Sequence, residues 1–466
     1  MLRSFRNKFI GDRRFYRGVI LLALPMIIQN AITSFVSFLD NIMVGQVGTE
    51  QMSGVAIVNQ LMFVFNICVF GSVSGAGIFS TQFFGKGDYK GQRYAFRFKM
   101  YASLLVGIAA LLIFLFGGEF LISLYLSDAS DVGDIELALH YGKQYLRIML
   151  FSLIPFAVCQ SYVSTLRETN QTFVPMLASV VAVFTNLILD YALIFGKLGL
   201  PQMGVRGAAA ATVIARFFEL IIVIVWTHAH GAKNPYIVGV YRSLKIPKKI
   251  FLDILKKGTP LMINEMLWAT GMAVIAQCYA VRGLDVVAGQ NISSTITNLF
   301  NIVYIQLGSC ISIIVGQYLG AGELEKAKDA DRKLLFFTVA ACALVSAVMA
   351  FVGGFFPSIY NTEEEIKDLA RSFIFISALA MPLCAFSHAA YFTLRSGGKT
   401  LVTFLFDSVY TWVLLIPFAY FLTHHTALSI VTVFFIVQFS EIIKVIIGFF
   451  MVKSGIWIQN IVAENN

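Results

Sequence analysis

The chain carries one set of motifs twice, shifted by 235 positions and embedded in long apolar segments. Pro25 pairs with Pro260, Gly48 with Gly283, Gly54 with Gly289, and Phe65-Asn66-Ile67 with Phe300-Asn301-Ile302. Gln82, Gly85 and Gly87 pair with Gln317, Gly320 and Gly322, and Asp88 with Glu323, with no gap anywhere in that stretch. Further on, Pro155 opens a stretch ending Thr165-Leu166-Arg167, and Pro382 opens one ending Thr393-Leu394-Arg395. An apolar chain built as two copies of one bundle predicts two halves that move against each other around a central site, as in many secondary transporters.

The chain has 466 residues, 58% hydrophobic and only 13% charged, where a soluble chain has roughly 25% charged residues. Apolar stretches long enough to cross a hydrocarbon core of about 30 Å recur along the whole sequence. Inside lipid the backbone must satisfy its own polar groups, so these stretches are expected to be helices, and no alternating barrel-strand pattern competes. Twelve spans are expected, at 18–41, 53–77, 100–126, 143–165, 173–195, 207–230, 254–281, 286–316, 334–357, 370–394, 401–422 and 427–452. The fold class is therefore an all-α membrane protein with two six-helix lobes, 1–230 and 251–466, joined by a basic linker at 231–250. An even number of spans per half gives both halves one orientation, hence a pseudo-two-fold axis along the membrane normal.

The net charge of +9 is not spread as a nucleic-acid surface would be. Lys and Arg gather before the first span (Arg3, Arg6, Lys8, Arg13, Arg14, Arg17), after the second (Lys86, Lys90, Arg93, Arg97, Lys99), in the linker, and after the eighth (Lys326, Lys328, Arg332, Lys333). The intervening loops carry acids instead, such as Asp128, Asp131, Asp134 and Glu363 to Glu365. This positive-inside pattern places both termini in the cytoplasm and agrees with an even span count. The first apolar stretch lacks a small-residue cleavage site and is expected to remain as the first span. The six cysteines lie singly in apolar segments and read as small buried side chains.

Charged groups inside a bilayer are expensive and demand an explanation, about 2.5–3.5 kcal/mol each on insertion scales. In the first span Gln29, Thr33, Ser37 and Asp40 share one helical face. That face suits a wet cavity, or Asp40 simply ends the helix among headgroups. Pro25 makes the same helix prone to bend. In the fifth span Asn186 and Asp190 share a face, lining a cavity or ending near the outer surface. In the seventh, Asn264 and Glu265 follow Pro260 by one turn, and Glu265 is the counterpart of Asn30; a structural interhelix bond is the alternative. Asn291, Ser294, Asn298 and Asn301 form a face of the eighth span that serves either a cavity or helix packing. Arg216 with Glu219, and Glu441 with Lys444, read as mutually neutralising pairs, and Asp407 is either buried or at a helix end. Gly398-Lys399-Thr400 is not a phosphate loop, because Thr393 stands where its first glycine belongs. No HExxH or GxSxG pattern and no nucleophile–base constellation is present, so an enzyme is not expected.

Five stretches together resemble the multidrug and toxic compound extrusion (MATE) family over essentially the whole chain: LALPMIIQ at 22–29, FLDNIMVGQVG at 38–48, QFFGKGD at 82–88 echoed by QYLGAGE at 317–323, TNLILDYALIFG at 185–196, and GVRGAAAATVIAR at 204–216. The resemblance implies a plasma-membrane (cell inner membrane) efflux antiporter with no other cofactor and no nucleic-acid partner. Such a protein rocks between outward- and inward-open states and expels cationic, amphipathic drugs in exchange for Na⁺ or H⁺, and a monomer suffices. Carried over residue by residue, Pro25 is the hinge, and Asp40, Asn186, Asp190 and Thr212 are the cation-coupling set of the archaeal and DinF-type pattern. Asp40 and Asp190 are the metal ligands if Na⁺ couples. Glu265, Asn30, Asn298 and Asn301 are secondary substrate or cation candidates. Glu265 follows its proline by five residues rather than the eight of NorM-type members. The tenth-span aspartate of those members has no counterpart here, since that span holds His388, so coupling is expected through the N-lobe. Two nearby carboxylates in a poorly hydrated pocket repel each other and lose hydration, and both effects favour uptake of a cation. The alternative is a flippase for lipid-linked oligosaccharide or peptidoglycan precursors, which would hold a pyrophosphate with basic cavity residues.

Overall fold

A computed structural model describes residues 8–126 and 134–463. The loop acids Asp128 and Asp131, and Arg3 and Arg6, lie outside the described residues. Twelve helices are long and apolar enough to cross a membrane. They are α1 (Arg13–Gly45), α2 (Thr49–Lys86), α3 (Tyr89–Leu126), α4 (Ile135–Glu168), α5 (Phe173–Phe195), α6 (Val205–Ala229), α7 (Lys248–Ala280), α8 (Leu284–Gly320), α9 (Leu324–Ile359), α10 (Glu364–Ser396), α11 (Thr400–His425) and α12 (Ile430–Lys453). No strand occurs among the described residues. The chain is a multi-pass membrane protein.

The helices run past the hydrophobic limits expected from sequence, because polar residues continue the backbone ladder beyond the apolar run. α2 extends from Thr49 to Lys86, where the apolar span is 53–77. Helix ends obey local chemistry. The Asp134 carboxylate accepts from Leu137 N at 3.1 Å and caps α4. Gly196, at φ 67°, ends α5 in the left-handed conformation that a residue without Cβ adopts freely. Two features have no sequence signature: a π-helical stretch at Leu405–Leu415 inside α11, and a break in α12 at Ser440.

The described chain divides into two compact units. One comprises Leu24–Ser80 and Tyr89–Leu255. Its cores gather α2, α4 and α6, with Val58, Val69 and Leu153 almost wholly buried. The segment after α6, expected as a linker, packs into this unit: Tyr236, Ile237 and Val240 are buried with Phe96 and Tyr162. Arg97 holds it by donating to the Val240 carbonyl at 2.8 Å and the Lys245 carbonyl at 2.9 Å. Fully buried Lys99 meets Glu168 at 2.5 Å and donates to Thr165 Oγ1 at 3.0 Å.

The other unit comprises Lys256–Asn466, Thr81–Asp88 and Met1–Ala23. Its makeup differs from the sequence-based lobe bounds, since the C-terminal end of α2 and the described part of the first 23 residues group with the later helices. The reason lies in the repeated Gln-x-x-Gly motif. A Cβ on Gly85 would run into the Gln317 carbonyl, and a Cβ on Gly320 into the Gln82 carbonyl, so the two copies cross backbone against backbone. Buried Gln82 then ties in the C-terminal segment, donating to the Ser396 and Gln459 carbonyls at 3.0 and 3.1 Å and accepting from Ile461 N at 2.9 Å. Gly85→Ala and Gly320→Ala are each expected to destabilise the protein by about 1–3 kcal/mol, the cost of forcing volume into a closed contact. Gly117→Ala, where a Cβ meets nothing within 4 Å, should be neutral or stabilising. Thermal unfolding of the three purified variants in detergent checks the contrast.

Candidate functional site

The first unit encloses a cavity of about 330 Å³. Sequence-derived Asp40, Asn186, Asp190 and Thr212 all line it, from α1, α5 and α6. Of the polar face expected on α1, Thr33, Ser37 and Asp40 line the cavity, whereas Gln29 does not and bonds Ser179 and Arg167 instead. Val36, Met62, Phe65, Met149 and Phe156 make much of the remaining wall apolar.

Asp190 is 1% exposed. Neither of its carboxylate oxygens, nor Oδ1 of Asp40, has a hydrogen-bond partner. No ion pair involves either residue among the described residues. Both carboxyls line the same cavity. Beside them Asn186 Nδ2 donates to Thr212 Oγ1 at 3.4 Å. Buried carboxylates without donors are costly. A proton, or a small cation held by these oxygens, removes that cost. Sequence reasoning passed over Tyr145 and Asn59, which also line the cavity and meet at 3.4 Å. Asn66 and Ser152, each seven residues further on the same helix faces, line the cavity too, so a two-turn spacing of polar groups was a usable signal.

The cavity reaches down to a second polar layer. Arg216 Nη1 donates to Glu219 Oε2 at 2.9 Å, which is the pairing expected from sequence. Ser179 Oγ donates to Glu219 Oε1 at 2.5 Å, Gln29 Nε2 to Ser179 Oγ at 2.6 Å, and Arg167 Nη2 to Gln29 Oε1 at 2.6 Å. Gln29 lies one turn after Pro25, so the chain of bonds grips α1 beside its candidate hinge. Here every acid has a base.

The other candidates lie elsewhere. Asn30 donates to the Met26 carbonyl of its own helix at 2.8 Å and does not line the cavity. Asn298 is exposed and Asn301 half-buried, and neither lines it. Glu265 belongs to the second unit, where it accepts from Tyr391 OH at 3.2 Å and lies 3.8 Å from Arg395. The interhelix bond weighed for this position is thus present. Asp407 is buried: Lys444 Nζ reaches it at 2.6 Å and Asn264 Nδ2 at 3.0 Å. The expected Glu441–Lys444 partnership is therefore secondary, at 3.7 Å, because a carboxylate on a neighbouring helix comes closer than the one three residues away. Glu265 and Asp407 thus have cations within 4 Å, whereas Asp331, also buried, accepts from the Thr393 hydroxyl, and Asp40 and Asp190 enter no ion pair among the described residues.

A membrane protein of twelve helices with a partly apolar cavity lined by carboxylates fits the class of polytopic solute carriers. The MatE family model matches residues 25–192 and 260–421, and the chain belongs to that family. The chain is similar to the probable multidrug resistance protein NorM of Thermotoga maritima, 24% identical over 426 residues, covering 89% of this chain and 87% of the relative. It is also similar to the probable multidrug resistance protein YoeA of Bacillus subtilis, 22% identical over 419 residues, covering 90% and 89%. Among solved structures, an outward-facing multidrug resistance MATE family transporter of the MOP superfamily matches with a TM-score of 0.84 at 20% identity, covering 95% of this chain and 96% of that one. A MOP superfamily transporter from Pyrococcus furiosus, described as having a binding pocket of reversed polarity, matches with a TM-score of 0.84 at 19% identity over the same shares.

Proposed function

We propose that this protein is an efflux antiporter of the plasma membrane with both termini cytoplasmic, acting as a monomer. It exports cationic or amphipathic small molecules in exchange for inward Na⁺ or H⁺ by alternating access, with Pro25 as the bending point of α1. The carrying observation is the pair Asp40 and Asp190, which line one cavity of mixed apolar and carboxylate lining, are held in no ion pair among the described residues, and share it with an Arg216 already bound to Glu219. Such a pair binds either an incoming cation or the positive end of a lipophilic cargo, and mutual exclusion of the two is what exchange requires. Asn186 and Thr212 add neutral oxygens, which suit a hard cation. The names of the relatives support multidrug cargo. The flippase alternative finds less support, since Arg216, the base lining this cavity, is already held by Glu219.

The test uses purified protein in liposomes loaded with ethidium. An imposed Na⁺ or H⁺ gradient is expected to drive dye movement against its own gradient, and only one of the two ions should do so. Dye movement indifferent to both gradients, or scrambling of a labelled lipid-linked pyrophosphate instead, would overturn the proposal.

A further inference from the structure

α4 opens with a polar stripe. His140, Lys143, Gln144 and Arg147 share one helical face. Three of them are engaged: His140 with Gln144 at 2.5 Å, Lys143 with Glu119 at 2.6 Å, and Gln144 Oε1 with Arg206 Nε at 2.9 Å. Arg147 is exposed and makes no hydrogen bond or ion pair among the described residues. After it the helix is apolar through Cys159 except for Ser152, which is buried and bonds back to the Met149 carbonyl. Arg147 is thus the last polar group of the stripe, where the helix turns apolar.

A groove of about 720 Å³ runs between α3, α4 and α6, with Arg147 among its lining residues. Arg147 is its single polar lining residue; Leu115, Phe151, Ile154 and Phe217 are typical of the rest. Pro155 sits in its wall, and a proline cannot donate to the carbonyl one turn back, so the helix is locally weakened there. From Arg147 to Val158 the groove follows about 16 Å of helix at 1.5 Å per residue, the length scale of an acyl chain. An unpaired guanidinium beside lipid is costly unless an anion meets it, and its planar fork suits the two oxygens of a phosphate.

The geometry points to a binding site for one anionic phospholipid of the surrounding bilayer, its headgroup phosphate on Arg147 and one acyl chain along the groove. Charge complementarity selects this occupant over a zwitterionic lipid, whose ammonium would sit against the same positive end. The site is independent of the proposed exchange activity. It lies on α4 and α6, which also line the cavity, so its occupant braces helices of both.

Native mass spectrometry of the purified protein, with phosphatidylglycerol and phosphatidylcholine added in equal amounts, tests the site. The wild type is expected to retain one phosphatidylglycerol in preference by roughly fivefold, as befits one partly exposed charge contact. Arg147→Gln should bring the two lipids to parity, and Arg147→Lys should keep most of the preference. Leu115→Trp, which fills the groove and leaves the arginine in place, should lower retention of both lipids. Arg206→Gln, at a base already held by Gln144, should change nothing. Undiminished preference in Arg147→Gln, or undiminished retention in Leu115→Trp, overturns the proposal, as does a wild type without preference.

Discussion

Asp190→Asn is expected to abolish coupled export while leaving the protein at least as stable as the wild type. The reasoning starts from burial. Asp190 is nearly inaccessible and neither oxygen has a partner, so its side chain contributes no bond that the amide would lose. The amide keeps the shape, removes a buried charge and adds a donor that can satisfy the unpartnered Asp40 oxygen. The same donor occupies the place of the incoming cation. Exchange of one monovalent cation for one monovalent dye moves no net charge, so a tenfold ion gradient, about 1.4 kcal/mol, can sustain at most about a tenfold dye gradient. For an uncharged amphiphile one charge moves per cycle, and a 100 mV potential contributes about 2.3 kcal/mol. In liposomes the wild type should approach the tenfold limit for ethidium, and Asp190→Asn should fall to equal concentrations on both sides. Asp40→Asn should do the same, and the double variant should be no worse than either, because the two carboxyls act as a unit. A working Asp190→Asn protein sinks the coupling proposal. A markedly lower apparent melting temperature would show instead that the carboxylate is a structural tie, which its empty hydrogen-bond record argues against.

Why was Asp40 legible in the sequence when other parts were not? Helix periodicity puts Gln29, Thr33, Ser37 and Asp40 on one face, and an acid within an apolar run has few tolerable destinations; that Asp190 joins it in one cavity was an expectation carried by the family resemblance, not by spacing. The twelve helices were legible for the same reason, since lipid leaves the backbone one economical solution. Partners between helices were not. Glu441 and Lys444 look self-sufficient at three residues apart, yet the ammonium lies closer to Asp407 of α11. The π-helical stretch at Leu405–Leu415 contains Asp407, and its i to i+5 bonding offsets side chains from the 3.6-residue register that spacing arguments assume. Likewise Asn298 and Asn301 share a helical face, but periodicity cannot say what that face meets. The glycines of the duplicated Gln-x-x-Gly motif were visible as a repeat; that one copy crosses the other was visible only once the Gln82 and Gln317 carbonyls were placed.

Lys444→Met should be among the most destabilising single substitutions in the chain, by about 3–5 kcal/mol, the usual cost of removing one partner from a buried ion pair. Lys444 is buried between Asp407 at 2.6 Å and Glu441 at 3.7 Å. Its loss leaves Asp407 with Asn264 Nδ2 as a neutral donor and leaves two carboxylates repelling across a site of low polarity. The companion variants separate a lost charge from lost packing. Lys444→Met with Asp407→Leu should recover part of the loss, because an apolar pair of similar volume often replaces a buried ion pair at little cost. Adding Glu441→Gln should recover more, since no carboxylate is then left without its cation. Apparent melting temperatures of the four purified proteins in one detergent should therefore rank wild type highest, Lys444→Met lowest, and the double and triple variants between in that order. If the double variant melts as low as the single one, packing of the lysine stem against Phe406 and Tyr410, whose rings lie 5.4 and 5.8 Å from its ammonium, is what matters. If Lys444→Met melts with the wild type, water must reach Asp407, and the second unit is more open at its polar centre than its burial shows.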